Sequence, residues 1–160
     1  MKPSFVSPII EKIAQKLGIE IHLEPRYGYA GQLMLRSGRT RYFRGTMFDL
    51  NSLGAAEIAE DKAYATYFLQ RLGYPVPEEG EFFTDRWCAV VKSKRDWQAA
   101  YRYAKKLGWP VIVKPNSKSQ GSGVTEVYNK RELHQAVHSF EGRERVFLVQ
   151  RLMTGFDYRI

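Results

Sequence analysis

The sequence predicts an α+β fold made of small α/β lobes, and three observations support this prediction. Amphipathic helical segments alternate with short apolar strands through residues 96–151. Hydrophobic residues make up 44% of the chain and charged residues 26%, which is typical of folded domains and not of disordered tails. A glycine–aromatic–proline–valine joint, at 73–76 and again at 108–111, ends a helix and starts an extended segment. At 160 residues, the chain can form one domain or two small lobes.

The first 60 residues predict one helix, one strand and one hairpin. Ser7 and Pro8 have the pattern of a helix N-cap followed by proline at the first helical position, and Gly18 ends the helix. The apolar stripe predicted to face inward is Ile9, Ile10, Ile13 and Leu17. The strand is predicted at 19–23, and the hairpin at 31–43 turns at Ser37-Gly38.

Three further helices are predicted, the first from 55 or 61 to 72, the second at 96–107 and the third at 130–140. We expect Ser93 to cap the second and Asn129, with Glu132 three residues later, to cap the third. Their predicted inward faces are, in order, Tyr64, Tyr67, Phe68 and Leu72; Trp97, Ala100, Tyr101 and Ala104; and Leu133, Ala136, Val137 and Phe140. The intervening strands are predicted at 111–114, 123–128 and 145–151.

The segment 108–124 carries the strongest indication of chemistry. An apolar strand delivers Lys114, and a loop of small polar residues with two glycines leads into the next strand. Backbone amides in such a loop can surround an anion, and a lysine–phosphate pair near 4 Å contributes roughly 4 kcal/mol before desolvation at an effective dielectric of about 20. The alternative is a mobile hairpin loop beside a snorkelling lysine. The segment matches neither the Walker pattern nor a Gly-x-Gly-x-x-Gly fingerprint.

The order of motifs resembles the ATP-grasp superfamily. Val-Lys-Pro is followed by a small-residue loop ending Gly-x-Gly-Val, a helix, and an apolar strand that runs into Gly-x-Asp-Tyr-Arg. The loop length is most similar to cyanophycin synthetase and the bifunctional glutathione-forming ligases, and D-alanine–D-alanine ligases have a shorter loop. The resemblance implies an ATP-grasp fold in which residues 61–160 form the first lobe, lid loop, hinge and first strand of a truncated second lobe. Residues 1–60 would then be a reduced N-terminal region.

The resemblance implies a phosphate-binding role for two lysines and the loop. Lys62, in the pair Asp61-Lys62, matches the family lysine that reaches an ATP phosphate, and Lys114 matches the second phosphate lysine. The lid loop that closes over the phosphates would be Gln120, Gly121, Ser122 and Gly123. The alternative for Lys62 is a surface lysine at the start of a helix.

The resemblance also implies a nucleotide hinge and a ribose ligand. The hinge that binds the adenine edge and encloses the ring would be Gln150, Arg151, Leu152 and Met153. Relatives have glutamate where this chain has Gln150, which keeps a carbonyl acceptor but removes the charge. Asp157 matches the acidic residue that binds the ribose hydroxyls. The alternatives are a core strand for the hinge and a surface carboxylate for Asp157.

The implied activity is an ATP-dependent carboxylate–amine ligase that acts on an amino acid or peptide through an acyl phosphate. Mg²⁺ prefers hard oxygen ligands, and the family supplies them beyond the position that matches Arg159. We therefore expect this chain to be inactive alone and assign no catalytic residue or metal ligand within it. A non-catalytic nucleotide-binding or regulatory module is the main alternative.

Nucleic-acid binding is a weaker alternative. The net charge is +8, but the basic residues are dispersed, which favours solvated helix faces. On the predicted hairpin, tyrosines and Phe43 alternate with arginines, a pattern that suits base stacking but also suits a strand pair with one wet face. The residues concerned are Arg26, Tyr27, Tyr29, Arg39, Arg41, Tyr42, Phe43 and Arg44. A homo-oligomer stays open.

The remaining features predict a cytoplasmic protein without a membrane segment. A single cysteine, Cys88, suits a reducing compartment and is predicted to be a buried structural thiol. The first residues lack a secretory signal pattern, and no window reaches the roughly 18 consecutive apolar residues of a membrane span. His134 and His138 are four residues apart on the third helix, where we expect a solvated face and no metal site.

Overall fold

The structure is a computed structural model that describes residues 4–156. The chain divides into two compact units, Met1–Ala56 and Glu57–Ile160. Helices and strands are mixed in both units, in agreement with the predicted α+β class. No helix of residues 4–156 is long and apolar enough to cross a membrane.

The first unit has one helix and a four-stranded antiparallel sheet in the order β1-β2-β3-β4. Its elements are α1 (Ser7–Leu17), β1 (Glu20–Leu23), β2 (Ala30–Met34), β3 (Thr40–Arg44) and β4 (Met47–Phe48). The predicted strand and hairpin are confirmed. Gly38 takes the left-handed conformation, with φ of 78°, that a tight turn at this point requires.

Two details of α1 differ from the prediction. Ser7 is the first helical residue and not the N-cap, which is Val6. The Ser7 hydroxyl instead donates to the carbonyl oxygen of Gly28 and lies 3.1 Å from Ser4 Oγ, so it joins the helix start to a neighbouring turn. The inward stripe is narrower than predicted, because Ile10 and Ala14 are the only apolar residues of α1 that are buried. Ile9, Ile13 and Leu17 are each more than half exposed.

The second unit has a four-stranded antiparallel sheet in the order β5-β8-β6-β7. Its strands are β5 (Glu79–Phe83), β6 (Val111–Pro115), β7 (Thr125–Val127) and β8 (Val146–Arg151). The helices are α2 (Leu53–Glu60), which begins before the unit boundary, α3 (Lys62–Arg71), α4 (Asp85–Val91), α5 (Trp97–Leu107) and α6 (Lys130–His138). The sequence-based prediction missed β5 and α4.

One face of this sheet packs against α5 and α6 and forms the main core. The cluster is Phe82, Ala100, Ala104, Leu107, Val111, Val113, Val127, Leu133, Ala136, Val137, Phe140, Phe147 and Val149. Burial of these side chains follows the predicted inward faces of both helices, with Trp97 and Tyr101 only partly buried at the rim. Cys88 on α4 is also buried, as predicted, and burial raises the pKa of its thiol.

One of the two predicted helix caps is confirmed and the other is wrong. Asn129 caps α6 as predicted, since its Oδ1 accepts the Glu132 amide at 3.1 Å. Asp96, and not Ser93, caps α5, because its carboxylate accepts the Ala99 amide at 2.8 Å. Ser93 Oγ instead accepts the amide of Arg95 at 3.1 Å. The two candidates are three residues apart, and a carboxylate is at least as good an N-cap as a hydroxyl.

The helix predicted to end at Leu72 is two helices, and its predicted inward face is exposed. The helix is interrupted at Asp61, which has extended backbone angles and caps α3. Tyr64, Tyr67 and Leu72 are 57%, 57% and 72% exposed, and neither α2 nor α3 contains a buried residue. The prediction of a buried side was therefore wrong, because only the first turn of α3 is hydrogen-bonded to the segment that follows β6.

Candidate functional site

The face of the second sheet opposite the main core carries a small group of polar side chains. Glu79 on β5 is paired in register with Gln150 on β8, which is paired in turn with Ile112 on β6. Lys114 lies two residues further along β6 on the same face, since side chains of a strand alternate between its two faces. The sheet thus brings Glu79, Gln150 and Lys114 together on the side opposite the core.

Lys114 is the centre of this group. Its Nζ lies 3.2 Å from Glu79 Oε2 and also donates a hydrogen bond to Gln150 Oε1. The side chains of Lys114 and Glu79 are only 18% and 7% exposed. At this depth the attraction is large, but it is offset by the cost of removing both ions from water. Breaking the pair would leave a buried, uncompensated charge.

Glu79 has one free acceptor. Its Oε1 is buried and has no hydrogen-bond partner among the described residues. Buried polar atoms are nearly always paired, so an oxygen of this kind normally meets a ligand or a bound water. Glu79 was not predicted as a site residue, because Glu79-Gly80-Glu81 lacks the apolar alternation that marks a strand. Only the register with Gln150 reveals its position.

Lys62, the first residue of α3, is the other predicted phosphate lysine. Its Nζ donates to the carbonyl oxygen of Asn116 at 2.8 Å and to that of Lys118. Burial, and next the positive charge of Lys114, lower the pKa of Lys62 below its ordinary value of 10.5. The lysine therefore holds the base of the predicted lid loop while carrying a charge that its surroundings disfavour.

Asn116 fixes α3 to the end of β6, a role that was not predicted from the sequence. It is 5% exposed, and its Nδ2 donates to Asp61 Oδ2 at 2.6 Å while its Oδ1 accepts the Ala63 amide at 3.1 Å. Asp61 also accepts the Tyr64 amide at 2.9 Å as the N-cap of α3. These bonds set the position of Lys62 relative to the loop. The only sequence signal is a single asparagine directly after a buried strand.

The predicted lid loop is anchored at its start and exposed at its tip. Ser117 Oγ donates to Glu144 Oε2 at 2.6 Å, and Lys118 Nζ lies 3.2 Å from Glu144 Oε1. Every residue of 117–124 is exposed. Gln120, Gly121 and Gly123 have φ of 56°, 74° and 74°, a left-handed backbone that favours glycine. The tip includes all four predicted lid residues, Gln120, Gly121, Ser122 and Gly123.

The predicted hinge lies partly in β8 and partly in the segment that follows this strand. Gln150 and Arg151 end β8, and the Arg151 amide donates to the Glu78 carbonyl at 2.8 Å. The Arg151 guanidinium also bonds Leu107 O at 3.1 Å and Glu78 Oε2 at 2.8 Å, so this residue completes the sheet edge. Leu152 and Met153 follow the strand, and Met153 is 62% exposed. Asp157, the predicted ribose ligand, lies outside the described residues.

The described residues contain no cluster of metal-binding side chains. Within 4–156, no group of three or more histidine, cysteine, aspartate or glutamate side chains is placed to hold a metal ion. His134 and His138 lie on α6 with ring centroids 6.1 Å apart, and the edge of Trp97 packs against His134. We derive no chemical step through a metal in this part of the chain.

Residues 68–160, more than half of the chain, match the family described as the D-Ala–D-Ala ligase C-terminus. The chain belongs to this family. It is 26% identical over 123 residues to a D-alanine–D-alanine ligase of Chloroherpeton thalassium, covering 71% of this chain and 31% of that ligase. It is 25% identical over 155 residues to a cyanophycin synthetase of Trichormus variabilis, covering 94% of this chain and 15% of that synthetase. The chain thus spans less than a third of these relatives.

Solved structures of the D-Ala–D-Ala ligase type confirm the ATP-grasp fold. The VanG D-Ala:D-Ser ligase of Enterococcus faecalis matches with a TM-score of 0.51 and 25% identity, over 64% of this chain and 27% of that one. A D-alanine–D-alanine ligase of Bacillus anthracis matches with a TM-score of 0.50 and 24% identity, over 63% and 30%. The predicted resemblance is confirmed, and the chain shares the fold of part of the ATP-grasp carboxylate–amine ligases.

Proposed function

We propose that the second unit binds ATP and forms the nucleotide-binding part of an ATP-dependent carboxylate–amine ligase. The observation that carries this proposal is the group around Lys114, opposite the main core. There a largely buried lysine and a glutamine meet a buried carboxylate, one oxygen of which has no hydrogen-bond partner within residues 4–156. Lys62 lies at the base of an exposed glycine-containing loop. Burial and the positive charge of Lys114 both lower the pKa of Lys62.

Under this proposal the two lysines neutralise ATP phosphates. The Lys62 ammonium now bonds two uncharged carbonyl oxygens of the loop base. A phosphate oxygen makes a stronger, charge-assisted hydrogen bond than a carbonyl does, so it can take Lys62 from the loop. Release of this tether would let the amides of 120–123 move over the phosphates. Lid closure would exclude water and strengthen the lysine–phosphate attraction.

The adenine contacts are proposed on the same face, beside Lys114. The free Glu79 Oε1 and the Gln150 carbonyl are acceptors suited to an exocyclic amino group, and Leu152 and Met153 would enclose the ring. We assign Asp157 to the ribose hydroxyls from the resemblance. The Arg151 amide is already used by Glu78, which leaves the backbone of Leu152 and Met153 for the adenine edge.

The proposed reaction is that of the resembled ligases. ATP phosphorylates a substrate carboxylate to an acyl phosphate, and an amine displaces the phosphate to give an amide, ADP and inorganic phosphate. Mg²⁺, which would stabilise charge on the transferring phosphate, is assigned to ligands outside the described residues. An amino-acid or peptide substrate, and the inactivity of this chain alone, stay predictions.

Titration calorimetry with ATP tests the proposed site. Replacing Lys62 by alanine is expected to weaken ATP binding by about tenfold, or about 1.4 kcal/mol, because one phosphate cation is removed. The matched control is Lys105→Ala on α5, an exposed lysine away from the loop, which should leave the affinity unchanged. Equal losses in both variants, or nucleotide binding abolished by a competing oligonucleotide with a steep salt dependence, would contradict a defined ATP site.

The lid loop is expected to be the segment whose dynamics respond to nucleotide. Its exposed tip has little apolar surface to anchor it, so amides of 119–123 should exchange rapidly in the free protein. ATP should slow their exchange, because the amides would then donate to phosphate. Hydrogen-exchange mass spectrometry measures this directly, with the α5 peptide 97–107 as an internal reference. Slow exchange of the tip before ATP is added would contradict the lid assignment.

Binding of ATP should be accompanied by proton uptake at alkaline pH. The pKa of Lys62 lies below its ordinary 10.5 in the folded chain, and phosphate charge would raise it. Between the lowered pKa and 10.5 the folded state binds fewer protons than the unfolded state, so stability without nucleotide rises with pH in that window. Calorimetry in two buffers of different ionisation enthalpy counts the protons, and Lys62→Ala should abolish the uptake. Proton release on binding would refute this assignment.

A further inference from the structure

We propose that the second unit carries a separate binding pocket for a compact, multiply charged oxyanion. A cavity of about 380 Å³ lies where α4 begins and where the chain enters β8. Arg86, Arg143 and Arg145 line it together with Trp87 and Thr84. Its volume falls in the range of roughly 300–1,000 Å³ that is usual for small-molecule sites.

The charge of this arginine pocket is not balanced by the protein. None of the three arginines forms an ion pair with a carboxylate in the part of the chain that the structure describes. Glu144 also lines the cavity, but its carboxylate accepts the Ser117 hydroxyl and pairs with Lys118, and its side chain is only 8% exposed. Like charges gathered around one cavity repel one another, and a bound anion would remove that cost.

The arrangement of the arginines indicates the class of ligand. A guanidinium presents a planar fork of N–H donors that matches phosphate or carboxylate oxygens in pairs. The Arg145 guanidinium lies 4.5 Å from the centroid of the Trp87 ring, a contact that orients it without using its N–H groups. That face of Trp87 is thereby closed to a nucleobase. The pocket therefore suits a small anion without an aromatic ring, such as pyrophosphate or a polycarboxylate.

The arginine pocket is distinct from the proposed ATP site but shares a segment with it. A second cavity of about 340 Å³, lined by Asp61, Asn116 and Ser117, lies against the same segment, 143–146. Glu144, between Arg143 and Arg145, holds the start of the lid loop through Ser117 and Lys118. An anion that draws the two arginines together would shift Glu144 and its anchor. This coupling rests on the proposed ATP function, whereas anion binding in the pocket does not.

Calorimetric titration of the 160-residue chain with pyrophosphate, and separately with citrate, tests the pocket. We expect the double variant Arg86→Ala/Arg143→Ala to bind the preferred anion at least tenfold more weakly, with an unchanged circular dichroism spectrum. Arg145 is left in place because it covers Trp87. The charge-matched control is Arg102→Ala/Lys105→Ala on α5, which should bind as the parent chain does. The tighter of the two anions identifies the ligand as phosphate or carboxylate.

Lys62→Ala separates the arginine pocket from the ATP site. Lys62→Ala should weaken ATP binding and leave anion binding in the arginine pocket unchanged. The arginine double variant should weaken anion binding and leave ATP binding unchanged. If Lys62→Ala abolishes anion binding and the arginine variant retains it, the anion binds at the ATP site and the proposal is wrong. The proposal is also wrong if the arginine and α5 variants lose equal anion affinity, or if neither anion binds. It is wrong as well if a single-stranded oligonucleotide binds through the arginines while neither anion does.

Discussion

Replacing Lys114 by alanine is expected to lower the free energy of unfolding by about 3 kcal/mol or more, because Glu79 would keep a buried charge without its cation. The two side chains are 18% and 7% exposed, so the Glu79 carboxylate is largely shielded from water. Urea unfolding measures the loss. Lys106→Ala, on the last turn of α5, is the matched control and should change stability by a few tenths of a kcal/mol at most.

The double variant Lys114→Ala/Glu79→Gln separates this stability effect from ATP binding. Removing the carboxylate charge should restore most of the lost stability, because no buried ion is then left unpaired. Compared with Glu79→Gln alone, the double variant should still bind ATP more than tenfold more weakly, a loss of about 1.4 kcal/mol or more. Full ATP affinity in the folded double variant would contradict the phosphate role of Lys114. Unchanged stability in Lys114→Ala would contradict the buried ion pair.

Replacing Gln150 by glutamate is expected to destabilise the second unit by on the order of 2 kcal/mol. Gln150 is the direct cross-strand partner of Glu79, and both contact Lys114. Two carboxylates would then share one lysine, and like charges at this distance disfavour each other. Adding Glu79→Gln should recover the stability, with a coupling energy of about 1–3 kcal/mol between the two positions.

Urea unfolding of the two single variants and the double variant measures this coupling. Gln135→Glu, on the exposed side of α6, adds the same charge away from the sheet and should have little effect. If the changes at 79 and 150 prove additive, the two residues do not share Lys114. If they couple, the side chains at positions 79 and 150 both act on Lys114.

The order of motifs along the chain was enough to predict the ATP-grasp fold and the core of the second unit. Helices α5 and α6 have regular apolar faces, and the strand before Lys114 is a continuous apolar run, so local periodicity located all three. An exposed loop at 120–123 was predicted because small polar residues and glycines between two strands offer little apolar surface to bury. These features depend on residues that are close together in the chain, so they can be predicted directly from the sequence.

Features that depend on pairing across the sheet were missed. Glu79 belongs to the site only because β5 joins β8 in one register, which no pattern near residue 79 reveals. Asn116 becomes important through bonds to Asp61, which lies 55 positions away in the sequence. The error at Tyr64, Tyr67 and Phe68 has the opposite cause. Helical periodicity of apolar residues was taken to mean burial, but these side chains are exposed.

The position of β8 in the sheet has a consequence for how the second unit folds. Within residues 4–156 it is the last strand along the chain, yet it lies between β5 and β6 and pairs with both. Paired residues of β5 and β8 are far apart along the chain, from Phe83 with Val146 to Glu79 with Gln150. Such distant pairs cost loop-closure entropy before they contribute stability, which slows folding. During synthesis, the edges of β5 and β6 that bind β8 therefore stay unpaired until residue 151 has left the ribosome. Until then these edges can pair with incorrect strands.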